Sequence, residues 1–262
     1  MPVILFFICL CASAVGAVVG AGGGVIIKPV LDLFGLLPVS TASFCSSCTV
    51  FCMAVSSLVR TRNSGVRLQL RVSTPLAGGA ILGGLLGQWL FGLVRTSFAR
   101  ENVLGAIQAA LLTAVMLLVM LYICEKDRLP SKHIENLFAI SAIGLGLGLT
   151  SSFLGIGGGP YNVAALFFFF SMDAKTAAKN SLYVIALSQA SSIAFAAAAG
   201  SVPAFAPLHL AGMIAGGIGG ALLGAAISRR LDNSGVERIL KLLVLFITAV
   251  DLYNVFRFIS QR

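Results

Sequence analysis

Gly20-Ala21-Gly22-Gly23-Gly24-Val25-Ile26-Ile27-Lys28-Pro29 and, 135 residues later, Gly155-Ile156-Gly157-Gly158-Gly159-Pro160-Tyr161-Asn162 are the two stretches on which the fold turns. Each separates a long apolar run from a short one. Around them, 58% of the 262 residues are hydrophobic, only 10% are charged, and mean hydropathy is +1.00. A soluble domain carries about a quarter charged residues, so water is not the main solvent of this chain. Uncharged stretches near the length of a bilayer crossing recur throughout, which defines an all-α polytopic membrane protein. A β-barrel would need alternating apolar and polar positions, and runs such as Ala109 to Leu121 are continuously apolar.

Apolar segments fall at about Val3 to Gly20, Val25 to Leu37, Ser40 to Val59, Val72 to Val94 and Asn102 to Ile123. Five more follow at Ile134 to Gly155, Pro160 to Ser171, Ser181 to Gly200, Phe205 to Ser228 and Ile239 to Phe256. No basic residue precedes the first run and its arrangement recurs mid-chain, so it is expected to stay rather than be cleaved as a signal peptide. The two sets match at an offset of 135, with Thr41-Ala42 over Thr176-Ala177 and Ser46, Ser56 and Ser57 over Ser181, Ser191 and Ser192. Gly79, Gly83 and Gly87 lie over Gly216, Gly220 and Gly224 at 137. The chain therefore reads as a duplication within one integral membrane domain. Residues 1–125 form the first repeat, 126–133 a cytoplasmic linker and 134–262 the second repeat.

In each copy the second segment would reach only about 20 Å, short of a roughly 30 Å hydrocarbon core. The glycines before it break the helix. Either the long and short pieces form one kinked span, giving parallel halves, or they form a hairpin that returns to its starting side, giving inverted halves. Basic residues accumulate in cytoplasmic loops. The kinked reading divides the 18 Lys and Arg evenly, whereas the hairpin reading gathers 13 on one side. Two inverted repeats are expected, each a glycine-broken hairpin plus three transmembrane helices. Both termini would lie outside the cell membrane.

A helix interrupted within the bilayer frees N–H groups that must face protein, water or a ligand. Where such a half-helix begins, its dipole favours an anion. That makes Gly22, Gly23, Gly24, Gly157, Gly158 and Gly159 candidate substrate contacts; the alternative is close helix packing. Lys28 follows the first triplet and could attract the anion, with Asp32 at i+4 as counter-ion or proton carrier, or the two could simply neutralise each other. Asp251 is a second coupling candidate, with an interfacial structural role as the other reading. Thr41, Ser43, Asn162, Asn180 and Ser181 can donate to oxyanion oxygens, although Ser and Thr in membrane helices often bond only to neighbouring backbone.

The glycine motif ending in Lys28-Pro29, its second copy, the Thr41-Ala42 opening of the next segment and the total length resemble the sulfite exporter TauE/SafE family of membrane permeases. The resemblance covers nearly the whole chain. It implies transport of small anions, often sulfur-containing ones such as sulfite, sulfonates or sulfoacetate, without ATP hydrolysis. The second copy departs from the first: Pro160-Tyr161-Asn162 follows its triplet directly, Ala164 stands where the first has Pro29, and Lys175 and Lys179 replace Ser40 and Phe44. The two half-sites are expected to be chemically unequal.

Cys45, Cys48 and Cys52 share a helical face without a nearby His, a weak metal signal, and packing explains them better. All six cysteines lie in or beside apolar segments, so a disulfide framework is not expected. Glycines at every fourth place, as in Gly212, Gly216, Gly220 and Gly224, read as a helix-contact stripe. No nucleotide-binding loop and no nucleophile with a base is present. The resulting expectation is a secondary transporter, not an enzyme, with a small anion and the lipid bilayer as partners, no nucleic acid, no cofactor and no metal. Homo-oligomerisation is open, and a non-transporting membrane sensor or assembly subunit is the alternative.

Overall fold

The computed structural model describes residues 1–97, 101–126, 131–156 and 158–260. Ten helices and no strand occur among them: α1 (Pro2–Val19), α2 (Gly24–Phe34), α3 (Val39–Arg60), α4 (Leu70–Ser97), α5 (Glu101–Glu125), α6 (Leu137–Leu154), α7 (Pro160–Phe170), α8 (Ala174–Ala198), α9 (Pro207–Arg230) and α10 (Asn233–Ser260). Eight are long and apolar enough to cross a membrane; α2 and α7, at 11 residues each, are not. Large apolar side chains cover the outside, Phe138 being 89% exposed and Phe256 71%. Such a surface is at home only in hydrocarbon.

The glycines act where the helices stop. Gly20 (φ 74°) and Gly155 (φ 66°) end α1 and α6 in the left-handed conformation that a side chain would disfavour. After the first break, α2 folds back along α1. Leu5 and Cys9 of α1 share an apolar cluster with Ile27 and Leu31 of α2 and with Ala42 and Cys45 at the start of α3. A kinked continuous span would have put α3 at the far end of α1. The second break behaves alike: the N–H groups of Lys132 and Ile134, just before α6, donate to the carbonyls of Phe168 and Phe169 at the end of α7, at 2.7 and 3.1 Å.

The halves interlock. α1 packs on α9, and α6 packs on α4, the matching pair. Each contact runs in parallel along a glycine stripe: Cβ atoms added at Gly79 and Gly83 would sit 1.9 Å from the carbonyl oxygens of Ser141 and Leu145. Gly216 and Gly220 lie likewise on Phe6 and Leu10. By contrast, α3 and α8 meet head to tail, since Lys179 at the start of α8 donates to the Thr61 carbonyl beyond the end of α3 at 2.9 Å. α5 and α10 do the same through an ion pair between Lys126 and Glu237.

Two helices start earlier than hydropathy suggests. α8 begins at Ala174 rather than near Ser181, because the Asp173 carboxylate caps it by accepting the Thr176 N–H at 3.0 Å. α10 begins at Asn233 rather than near Ile239. Both early turns carry charged residues, which an apolar window discounts. All six cysteines are free, with Cys9 and Cys45 in the apolar cluster between α1, α2 and α3.

Candidate functional site

The two interruptions touch inside the bundle. A Cβ on Gly24 would lie 1.9 Å from the carbonyl oxygen of Ile156, and one on Gly20 would lie 2.2 Å from Cα of Ala178. Only glycine permits backbones to approach this closely. Gly22, Gly23 and Gly24 are therefore buried packing positions here, and none lines a cavity described below. Gly158 and Gly159 are buried as well, whereas Gly157 lies outside the described residues.

Around this crossing, buried polar atoms lack partners within the protein. They are Ser13 Oγ beside Gly23 and Asn162 Oδ1 near Gly158; Gln189 Oε1 on α8 and the pair Ser46 Oγ on α3 and Ser181 Oγ on α8, which occupy matching places in the two halves, are unpartnered too. Buried polar groups are normally satisfied, because leaving one idle costs about 1–3 kcal/mol. Other hydroxyls in these helices are satisfied by the preceding turn, as Thr49 is by the Cys45 carbonyl at 2.8 Å.

Two cavities flank the crossing. The first, about 150 Å³, opens between the start of α3 and the end of α8 and is lined by Ser43, Phe44, Gln88, Ser152, Gly155 and Ser192. The second, about 110 Å³, lies between the end of α3 and the start of α8. α3 spans roughly 33 Å, so they sit at opposite ends of the bundle. Their linings correspond through the duplication. Adding 135 to Ser40, Ser43, Phe44 and Ser47 gives Lys175, Ala178, Lys179 and Leu182, and subtracting 135 from Ser152 and Ser192 gives Ala17 and Ser57. Adding 137 to Gln88, Phe91 and Gly92 gives Ala225, Ser228 and Arg229. All these positions line the respective cavities.

The charged residues of the first broken hairpin form a buried cluster. Lys28 (4% exposed) and Asp32 (6%) pair at 2.8 Å, and from α10 Asp251 (1%) lies within electrostatic range of both. Asn254 Nδ2 donates to the Pro29 carbonyl at 3.0 Å, and Arg257 donates to the carbonyls of Asp32 and Leu33, capping α2 with a cation. The other half has Val163, Phe167, Met116, Val119 and Tyr122 at the matching places, all apolar or aromatic. There the junction of α5 and α7 is ring contact, Tyr122 on Phe168 with centroids 5.6 Å apart. Lys28 Cε comes within 3.4 Å of where a Cβ on Gly155 would stand, so the Lys28 stem reaches the rim of the first cavity.

Of the residues singled out from sequence, Ser43 lines the first cavity with an unpartnered Oγ. Thr41 donates to the Ala204 carbonyl at 3.2 Å. Asn180 is saturated: its Oδ1 accepts from the Gln69 N–H and from Ser73 Oγ, and its Nδ2 donates to the carbonyls of Arg67 and Thr176. It clamps the loop after α3 onto α8. Sequence reasoning passed over Gln88 and Arg229; it noted Lys175 and Lys179 as departures of the second half from Ser40 and Phe44, and Ser192 as the match of Ser57, without assigning any of the three to a site.

Eight helices long and apolar enough to cross a membrane, two short helices that each follow a glycine break, and cavities with serine and lysine in their walls are the anatomy of a multi-pass membrane transporter. The chain belongs to the sulfite exporter TauE/SafE family, whose model matches residues 5–252, and that family is one of membrane permeases. Neither the curated proteins nor the solved structures yield a match.

Proposed function

We propose that this protein is a secondary permease for small sulfur-containing anions such as sulfite, sulfonates or sulfoacetate. Its two halves are inverted copies that alternate access to a central site. The observation that carries the reading is the set of idle buried polar atoms, Ser13 Oγ and Asn162 Oδ1 beside the crossed glycine breaks and Ser46 and Ser181 at matching places on α3 and α8. In hydrocarbon such groups await a polar occupant. Head-to-tail contact of α3 with α8 and of α5 with α10 supports inversion. Gly158, Gly159 and Asn162 frame the second break, Ser43 and Ser181 offer hydroxyls, and Lys28 supplies the positive charge.

The charged cluster supplies the coupling. Lys28 faces two carboxylates, Asp32 and Asp251, with the Arg257 guanidinium on the carbonyls that end α2, and a proton taken up at Asp251 makes this cluster more positive by one charge next to the anion path. Anion entry and proton binding then favour one another, which is symport by linkage. Uptake of labelled sulfite into proteoliposomes tests the function. Saturable flux accelerated by an inward proton gradient is expected, and flux no greater than in empty liposomes contradicts a permease and leaves a sensor or assembly subunit.

A further inference from the structure

The second cavity carries charge that the transport reading has not used. Lys175 and Lys179 stand on the first turns of α8 and Arg229 on the last turn of α9, all three at its wall. Lys179 Nζ donates to the carbonyls of Thr61 and Val66 at 2.9 and 2.8 Å, and Arg229 Nη2 to that of Arg60 at 3.0 Å. Carbonyl oxygens orient these cations without cancelling their charge. Among the described residues no carboxylate lines the cavity. Lys175 acts weakly on Asp232, a fully exposed group whose carboxyl is held below the usual range chiefly by the Gly235 N–H at 2.7 Å. Ser57, only 1% exposed, and Ser64 are among the lining residues, and each has an unpartnered Oγ. Uncompensated positive charge, idle hydroxyl donors and about 110 Å³, enough for several water-sized groups, suit a small oxyanion. The matching positions of the first cavity are Ser40, Phe44 and Gly92, without charge.

We propose that the cavity between the end of α3 and the start of α8, with Lys175, Lys179, Arg229 and Ser57, is a binding site for a small divalent oxyanion, distinct from the central site. Its place in transport rests on the permease reading; its capacity to bind does not. The duplication has produced two vestibules at corresponding positions, one basic and one without charged side chains at the matching places. The basic one concentrates the anion at its own end of the bundle, and the hydroxyl-lined one holds it weakly.

Titration of inorganic sulfate against the purified full chain tests this, comparing wild type with Lys175→Gln, Ser57→Ala and Lys132→Gln, a cation outside the cavity. Melting temperature checks that each variant is folded; Ser57→Ala removes a hydroxyl that has no partner to lose. Lys175→Gln is expected to raise Kd at least fivefold and Ser57→Ala about twofold, with Lys132→Gln unchanged. The differences should persist against a background of sodium chloride at matched ionic strength. Equal Kd in all four proteins, no binding to wild type, or a difference erased by chloride would overturn the site. Sulfite flux is read separately. Lys175-dependent binding without flux sinks the permease and keeps the site, and saturable flux with Lys175-independent binding does the reverse.

Discussion

Removing Lys28 alone leaves Asp32 buried without its ammonium, which costs about 3–5 kcal/mol, so Lys28→Ala conflates stability with affinity. The double variant Lys28→Met/Asp32→Leu separates them. It is expected to melt near wild type while its KM for sulfite rises at least tenfold, whereas Arg62→Ala, in the exposed loop after α3, changes KM less than twofold. Equal effects would remove Lys28 from the site. Asn180 belongs to a different class. Asn180→Ala strands the Gln69 N–H and the Ser73 hydroxyl, and a loss of about 2–3 kcal/mol is expected, seen as a lower melting temperature, with the KM of the surviving protein unchanged. At this scale the sequence shows which residues are polar but not which are idle. Thr113 bonds the Ala109 carbonyl at 2.8 Å while the Ser46 and Ser181 hydroxyls bond nothing, and only the packed neighbours decide that.

α4 and α6 can approach only because Gly79 and Gly83 present bare backbone to the carbonyls of Ser141 and Leu145. Gly83→Ala should push the helices apart and cost about 1–3 kcal/mol. Gly78→Ala, one residue from the same stripe but with open space around it, should be neutral or stabilise by up to about 1 kcal/mol. Thermal unfolding in detergent compares the two, and equal losses would mean that the stripe does not set the approach. The elements themselves are well marked in the sequence, since apolar runs and glycine triplets carry the physics of span and break. Their charged ends are not: Lys175 and Lys179 fall before the apolar segment, yet they ride on α8 because Asp173, eight residues ahead of Ser181, caps the helix. That extension is what brings both lysines to a cavity wall.

The partnering of α1 with α9 and of α6 with α4 exchanges helices between the halves, and no single segment's composition announces it. The duplication does announce that contacts come in matched pairs. It also shows where the match fails, at Lys28, Asp32, Asp251 and Asn254 against Val163, Phe167, Met116 and Val119. An asymmetric charged cluster in a symmetric frame is expected to couple transport to protons: Asp251→Asn should retain sulfite exchange across proteoliposomes but lose acceleration by a pH gradient, and retained acceleration would relieve Asp251 of that role. The central claim is that two oppositely directed hairpins enclose one anion path with an opening at each end. Impermeant-maleimide labelling of Ser43→Cys and Ser57→Cys, in a flux-competent background without the six native cysteines, tests it most directly. The account predicts that the two cysteines react from opposite faces of the membrane and that sulfoacetate slows both reactions; labelling of both from one face, or no slowing of either, would contradict it.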